Sequence, residues 1–274
     1  MSFASESRRV LDIGMCGGGD SSLYLHKGFW VVAVEANPVS VEEAETRLKP
    51  YIESGQLTIH SVAVSDKDEV IAFHVCDEGE YLSTADLRRR RIWERKGAAF
   101  RTIHVPGKKI GDLLPEWEAP YFAKIDIEGY DRVALAQRRQ AGVAPRVLSI
   151  ELDVKHALAT LSELAEMGYQ RFQLVAQSRV PEQVEPNPAQ EGSHSGVDLR
   201  KGHSGSFGQD VGGDWVGAAK MRRTLLKRHA EFAVRAMAVN SMRKLTGGKD
   251  LVPWVRRLLP RTDDWYDLHA RYGG

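Results

Sequence analysis

Side chains that can transfer protons follow two apolar runs near the middle of the chain. Asp126 and Glu128 close one run, Glu151 closes the next, and His156 comes a few positions later. A carboxylate or an imidazole at such a place can take the proton of a hydroxyl that is to become a nucleophile. We therefore predict that the catalytic residues are Asp126, Glu128, Glu151 and His156. The alternative is that Glu128 and His156 simply begin the helices that follow them.

Carboxylate oxygens are also the ligands that hard divalent cations prefer, and Asp126, Glu151 and Asp153 offer three of them. The sequence leaves open whether a metal or a side-chain base activates the hydroxyl, so a metal is kept as the minor alternative. The two cysteines, Cys16 and Cys76, have neither metal-ligand spacing nor partners for a disulfide framework. Free thiols are typical of the reducing cytoplasm, where we expect this protein to reside.

A glycine-rich loop follows the first apolar run, in the stretch VLDIGMCGGGDSSLYL. Its glycines read G-x-x-G-G-G and do not match the G-x-G-x-x-G pattern of dinucleotide-binding loops. Asp12 precedes Gly14, and Asp20 stands where the next helix begins, so a pyrophosphate would meet two carboxylates. A ligand with an ammonium group would be attracted instead. The loop therefore favours S-adenosylmethionine (SAM), which carries an ammonium and a sulfonium but no phosphate, over NAD.

Glu35 ends the second apolar run, where a carboxylate can accept hydrogen bonds from the hydroxyls of a ribose. The end of the third run supplies small or apolar residues that suit a flat adenine ring. The predicted cofactor-binding residues are Asp12, Gly14, Gly17, Asp20, Ser22, Glu35, Ala36, Asn37, Ala63, Val64, Ser65 and Asp126.

Strand-like and helix-like stretches alternate over the first two thirds of the chain, which predicts an open α/β fold with a parallel sheet covered on both faces. Residues 82–101 are highly charged and receive no assignment, and Ser40 is the expected N-cap of the second helix. The expected strands are 8–14, 29–35, 56–64, 69–75, 119–127, 146–152 and 170–176. The expected helices begin at 20, 39, 131 and 157 and end at 26, 51, 139 and 167.

The alternation stops at Pro181. Residues 181–213 are rich in Pro, Gly, Ser, Asn and Gln, which predicts a long loop of the kind that often forms a lid. Within it, Phe207 can stack on a substrate or anchor the loop to the domain. We expect a SAM-binding domain over 1–180, a lid loop with a basic helical extension over 181–261, and a final strand of the sheet within 262–274.

The charge and hydropathy of the chain narrow the choice of partners. The formal net charge is +1 over 274 residues, and no apolar run is long enough to span a membrane. The segment 220–261 is strongly basic and can attract anionic partners. It lacks the interleaved aromatic residues expected for binding single-stranded RNA. Nucleic acid is therefore the weaker alternative to a small-molecule or glycan acceptor.

The motifs in this order resemble the FkbM family of SAM-dependent methyltransferases. The glycine loop resembles the family's first motif, and YFAKIDIEGYDRVAL (121–135) resembles the block that follows its fourth strand. The stretch SGSFGQDVGGDWV (204–216) is similar to a lid motif of one subgroup, with Ser206 where proline is common. The resemblance implies a class I methyltransferase fold, a Rossmann-like, doubly wound sheet whose seventh strand is antiparallel.

The resemblance also implies methyl transfer to a hydroxyl oxygen of a carbohydrate or a secondary metabolite. The alternatives are methylation of RNA or protein, and a module that binds SAM without turnover.

Overall fold

The computed structural model describes residues 8–113, 119–140, 144–200, 204–245 and 265–273. The strands are β1 (Arg9–Ile13), β2 (Trp30–Glu35), β3 (Leu57–Ser61), β4 (Ala63–Val64), β5 (Glu69–Cys76), β6 (Phe100–Lys108), β7 (Phe122–Ile125), β8 (Val147–Glu151), β9 (Arg171–Ala176) and β10 (Tyr266–Arg271). The helices are α1 (Gly19–His26), α2 (Pro38–Arg47), α3 (Lys49–Glu53), α4 (Leu87–Glu94), α5 (Ile110–Leu113), α6 (Asp131–Gln140), α7 (Ala157–Glu166) and α8 (Ala218–Leu245).

Seven strands form one sheet in the order β3-β2-β1-β7-β8-β10-β9. The neighbours β3, β2, β1, β7 and β8 pair in parallel, whereas β10 is antiparallel to β8 on one side and to β9 on the other. The chain moves outward from β1 in both directions, so the loops after β1 and β7 leave a crevice at the carboxyl ends of the strands. The structure confirms the expected doubly wound α/β fold with an antiparallel last strand.

A second, three-stranded sheet of order β4-β6-β5 stands beside the first, and the unassigned region 82–101 lies mostly in the connection between β5 and β6. Helix α4 lies in the connection between β5 and β6 and begins after Asp86, whose carboxylate accepts the N–H of Arg88 at 2.7 Å. Three of the first five residues of β6, Arg101, Thr102 and His104, are exposed, so the hydrophobic alternation that reveals a strand is weak there.

The two faces of the main sheet are covered differently. One face packs Leu11, Ile125 and Ile150 against helices α5, α6, α7 and the start of α8. The other face packs Phe122 against Tyr24 of α1 and against Phe207 of the long loop, and the rings of Phe122 and Phe207 stack with centroids 4.6 Å apart. Burying such a side chain contributes about 1.5–3 kcal/mol. Phe207 is therefore a loop anchor, and the loop takes a place where a helix would otherwise cover the sheet.

Buried charges also hold the long loop against the domain. The Lys27 ammonium is 2% exposed and forms ion pairs with Glu185 and, at 2.8 Å, with Asp210. Glu185 further accepts hydrogen bonds from the backbone and hydroxyl of Ser195. A second link joins Glu191 to the hydroxyl of Tyr121, which directly precedes β7. These contacts bring the described parts of the long loop, 181–200 and 204–216, onto the sheet next to the crevice.

The expected helix over 39–51 is wrong in two details. Asn37, not Ser40, caps α2, because its side chain accepts the N–H of Val39 while Pro38 occupies the first turn. The Ser40 hydroxyl donates instead to Glu80 at 2.7 Å. The helix is also divided into α2 and α3, and a proline enters the first turn of α3.

Two further expectations concern the ends of elements. The expected strand 56–64 is divided into β3 and β4, which belong to different sheets. The last part of the predicted extension, 246–261, and the first positions of the predicted final strand lie outside the described residues. None of the helices in the described part of the chain is both long and apolar enough to cross a bilayer.

Candidate active site

The glycine loop passes very close to the end of β7. Gly14 has φ +89°, and a Cβ on it would lie 1.7 Å from the carbonyl oxygen of Asp126. A Cβ on Gly17 would lie 2.8 Å from a carboxylate oxygen of Glu43 in α2. Glycine is required at position 14 both by the left-handed backbone and by the approach of the two strand ends. The loop thereby closes one wall of the crevice between β1 and β7.

Glu35 reaches back from the end of β2 to the same loop. One of its carboxylate oxygens accepts the N–H of Cys16 at 2.8 Å, and the other accepts the N–H of Asn37 at 2.7 Å. Burial raises the pKa of Glu35, while these backbone donors act in the opposite direction. Each carboxylate oxygen can accept more than one hydrogen bond, so both remain capable of binding a hydroxyl.

Asp12 and Lys124 form the floor of the crevice. Asp12 is fully buried and accepts a hydrogen bond from the Ser21 hydroxyl at 2.7 Å. Burial raises the pKa of Asp12 to about 6, although the neighbouring ammonium of Lys124 opposes this shift. The Lys124 ammonium lies 3.2 Å from Asp20 and 3.1 Å from Asp126. Burial acts against the charge of Lys124, yet the surrounding carboxylates raise its pKa well above the ordinary value.

Arg89 joins the acidic residues on the other side of Asp126. Its guanidinium donates from one nitrogen to Glu128 at 2.9 Å and from the other to Glu151 at 3.0 Å. Burial raises the pKa of Glu128 to about 8 and that of Glu151 well above the ordinary value; the neighbouring carboxylates add to both rises, and the Arg89 guanidinium opposes them. Glu128 has φ +50°, a strained conformation for a residue with a Cβ, and its carbonyl accepts the Thr84 hydroxyl at 2.7 Å.

The carboxylates that come together at this edge differ from the predicted metal ligands. Asp126, Asp131 and Glu151 offer oxygens within 4.8 Å of one another, whereas Asp153 is exposed and accepts the N–H of Lys155. The two oxygens of Asp131 already accept the N–H groups of residues 127 and 129, and Glu151 holds the Arg89 guanidinium. The structure therefore brings Asp131, rather than Asp153, close to Asp126 and Glu151, and we derive no metal-dependent step.

Other predicted residues have varied surroundings. Ala63 and Val64 are buried at the start of the small sheet, and the backbone of neighbouring Ser65 accepts a hydrogen bond from Gln137. Ala36 is half-buried beside Asn37. His156 stands one position before α7, and its backbone N–H donates to the carbonyl of Asp153.

Ser21 and Ser22 have different surroundings. The Ser22 hydroxyl lies 3.4 Å from the His26 ring on the exposed side of α1, while Ser21 contacts Asp12. Sequence reasoning placed Ser22 at the cofactor and overlooked Ser21. It also overlooked Arg89 and Asp267, which is buried opposite Glu151 in the register of β8 and β10. The four consecutive arginines from 88 to 91 indicate a charged patch, but the sequence does not single out Arg89 among them.

Several solved structures are similar to this chain. A solved FkbM methyltransferase from Methylobacillus flagellatus KT is 18% identical, with a TM-score of 0.42, over 62% of this chain and 40% of its own length. The N-terminal domain of human METTL16 in complex with SAH is 18% identical, with a TM-score of 0.36, over 64% of this chain and 58% of its own. An O-methyltransferase from Bacillus cereus in complex with SAH is 13% identical, with a TM-score of 0.34, over 62% of this chain and 67% of its own length.

This chain thus spans about two fifths of the length of the first of these structures. No curated protein matches the chain. The family model of the methyltransferase FkbM domain matches residues 12–171, which is more than half of the sequence and includes the glycine loop, Glu35, Asp126 and Glu151. The chain belongs to the FkbM methyltransferase family.

Proposed function

We propose that this protein is a SAM-dependent O-methyltransferase that methylates a hydroxyl group of a carbohydrate or a secondary metabolite. The observation that carries the proposal is the charge of the crevice between the glycine loop and the end of β7. The nearby cations are Lys124 and Arg47. The carboxylates outnumber them and belong to Asp12, Asp20, Glu35 and Asp126. This excess of negative charge favours a cationic cofactor without phosphate.

Two buried polar atoms in this region support a polar ligand. Within the described part of the chain, Oδ1 of Asp12 and Nδ2 of Asn37 have no hydrogen-bond partner. Leaving such an atom unsatisfied costs about 1–3 kcal/mol, which a polar cofactor or the water around it can recover. Glu35 would hold the ribose hydroxyls, and Asp20 and Asp126 would attract the ammonium of the methionine moiety. These residues fit SAM, which supplies an electrophilic methyl group when bound.

The transfer itself needs a positioned nucleophile and a proton acceptor. Bound SAM would supply the methyl group, and the hydroxyl that accepts it would lose its proton to a base. The distance between oxygen and carbon before attack is about 3 Å, and holding that geometry accounts for much of the rate. Glu151 and Asp126 are the carboxylates at the edge of β7 and β8 to which we assign the proton.

We infer that residues 181–216 act as a lid over the acceptor. The backbone N–H of Ser204 donates to Asp20 at 2.7 Å, which connects this segment directly to the first turn of α1. Trp215 is half-buried near the same face and offers a ring for a sugar. The two cysteines are free, which supports our proposal of a cytoplasmic protein.

Calorimetric titration tests the cofactor. SAM and SAH should bind, and NAD should not. Glu35→Gln should weaken SAM binding about tenfold or more, because the amide replaces a charged acceptor with a neutral one. Glu53→Gln, on the exposed side of α3, is the matched control and should bind like the wild type. Alanine is unsuitable at position 35, since it would leave the N–H groups of Cys16 and Asn37 without an acceptor.

An acceptor panel tests the reaction. The protein is incubated with SAM and with sugars, glycosides, polyketides and an RNA oligomer, and SAH formation is measured. Product with a hydroxylated small molecule supports the proposal. If SAH forms with RNA alone, and its yield declines steeply as the salt concentration rises, RNA replaces the small molecule as the acceptor. Binding of SAM without product from any acceptor would favour the module without turnover, and binding of NAD in place of SAM would refute the assignment of the crevice.

A further inference from the structure

We propose that Arg89 and Glu128 are positioning residues that set the protonation of Glu151 in opposite directions, Arg89 favouring its carboxylate and Glu128 favouring its acid form. The inference rests on the proposed function, in which Glu151 accepts the proton of the acceptor hydroxyl. Arg89 and Glu128 act through Glu151 and need not touch the substrate.

The geometry of the guanidinium carries the proposal. Arg89 contacts both Glu128 and Glu151, with one terminal nitrogen on each carboxylate, at 2.9 and 3.0 Å. Its side chain is 22% exposed, and those of Glu128 and Glu151 are 17% and 10% exposed, so water screens these charges weakly. Two carboxylates that share one cation cannot both be ionised without leaving a net negative charge in a poorly solvated place.

The backbone holds this arrangement in place. Glu128 and Gly129 both have positive φ, at +50° and +110°, and a Cβ on Gly129 would lie 3.0 Å from the side chains of Arg89 and Asp86. The Asp131 carboxylate accepts the N–H of Gly129 at 2.9 Å. The turn after β7 is therefore packed directly against α4, and it directs the Glu128 carboxylate to the same guanidinium as Glu151.

Glu151 faces charged groups from every element packed around it. Asp126 and Glu128 come from the turn after β7, Asp131 from α6, Arg89 from α4, and Asp267 from the opposing position of β10. Arg89 is the one cation among these described neighbours. Removing Arg89 should leave Glu151 protonated and unable to act as a base. Neutralising Glu128 should leave Glu151 as the one charged partner of the guanidinium in this pair, which favours the carboxylate form of Glu151.

A titration of the full-length protein without acceptor tests the proposal. The protein is labelled with ¹³C at the glutamate side-chain carboxyl, and the Glu151 signal is identified by its loss in Glu151→Gln. In Arg89→Gln the midpoint of the Glu151 titration should rise by about one pH unit or more, and in Glu128→Gln it should fall by about as much. Arg89→Lys keeps the charge and should shift the midpoint less than Arg89→Gln.

Opposite shifts of the Glu151 midpoint in the two variants support the proposal, because a merely structural role for the ion pair would not move the midpoint in opposite directions. Unchanged midpoints, or shifts in the same direction, overturn it. If thermal melting shows that Arg89→Gln does not fold, the proposal is tested by Glu128→Gln alone, in which the midpoint of the Glu151 titration should fall.

Once an acceptor is found, the acidic limb of the pH profile of kcat/KM should move in the same two directions. An absence of methyl transfer would refute the proposed function but would leave the titration result standing.

Discussion

Replacing Gly14 by alanine is the sharpest test of how the crevice is built. The new Cβ would lie 1.7 Å from the carbonyl oxygen of Asp126, so the glycine loop and the end of β7 would have to separate by more than an ångström. The left-handed backbone at φ +89° costs about 1–2 kcal/mol for a residue with a Cβ. Forced overpacking adds about 1–3 kcal/mol. We expect Gly14→Ala to lose about 2–5 kcal/mol of unfolding free energy.

Gly55→Ala is the matched control. Gly55 also has positive φ, at +74°, but no atom of the described residues lies within 4 Å of the position where its Cβ would be. This variant should lose only the backbone contribution, about 1–2 kcal/mol.

Thermal unfolding measures both variants, and each kcal/mol corresponds to about 2–4 °C in Tm for a protein of this size. Gly14→Ala should also bind SAH more weakly, while Gly55→Ala should bind it normally. Equal losses of Tm in the two variants, or normal SAH binding by Gly14→Ala, would refute our description of the crevice.

Two further predictions concern the long loop. Lys27→Met should destabilise the protein by about 3 kcal/mol or more, because it leaves Glu185 and Asp210 buried without their cation. Lys49→Met, which removes an exposed ion pair, should change the free energy of unfolding by less than about 1 kcal/mol, and equal losses in denaturant melts would contradict the role of Lys27. Burial acts against the charge of Glu185, but Lys27 and Ser195 lower its pKa to about 2. The unfolded chain therefore takes up the proton first, so stability should fall as the pH drops from the ordinary value of 4.5 toward 2, and this decline should be smaller in Lys27→Met.

The first half of the fold could be predicted from the sequence because its signals are local. Apolar runs end at Asp12 and Glu35, and the glycines between them have few structural uses other than a tight loop. Strand β6 was not predicted because its first half faces solvent and shows little alternation of apolar and polar residues. The N-cap of α2 was misassigned because Asn37 and Ser40 both suit a cap, and only the contact of Ser40 with Glu80 excludes it.

The acceptor side of the site was harder to predict because it depends on contacts between distant parts of the chain. Arg89 and Glu151 are 62 positions apart in sequence, and no spacing rule connects an arginine in an inserted helix with a carboxylate at the end of a strand. Asp131 replaced Asp153 in the acidic group because the turn after β7 folds back on itself through two backbone N–H groups. Local patterns therefore indicated which strand ends carry acids, but not which acids meet.

The position of β10 has a consequence for how the protein is made. This strand is inserted between β8 and β9, and its residues 266–271 come almost a hundred positions after β9 in the chain. While the ribosome is still synthesising the intervening stretch, β8 and β9 each present an unpaired edge, and such edges readily recruit strands from other molecules. The solubility of the chain during translation therefore depends on how soon residues 266–271 pair with both of these edges.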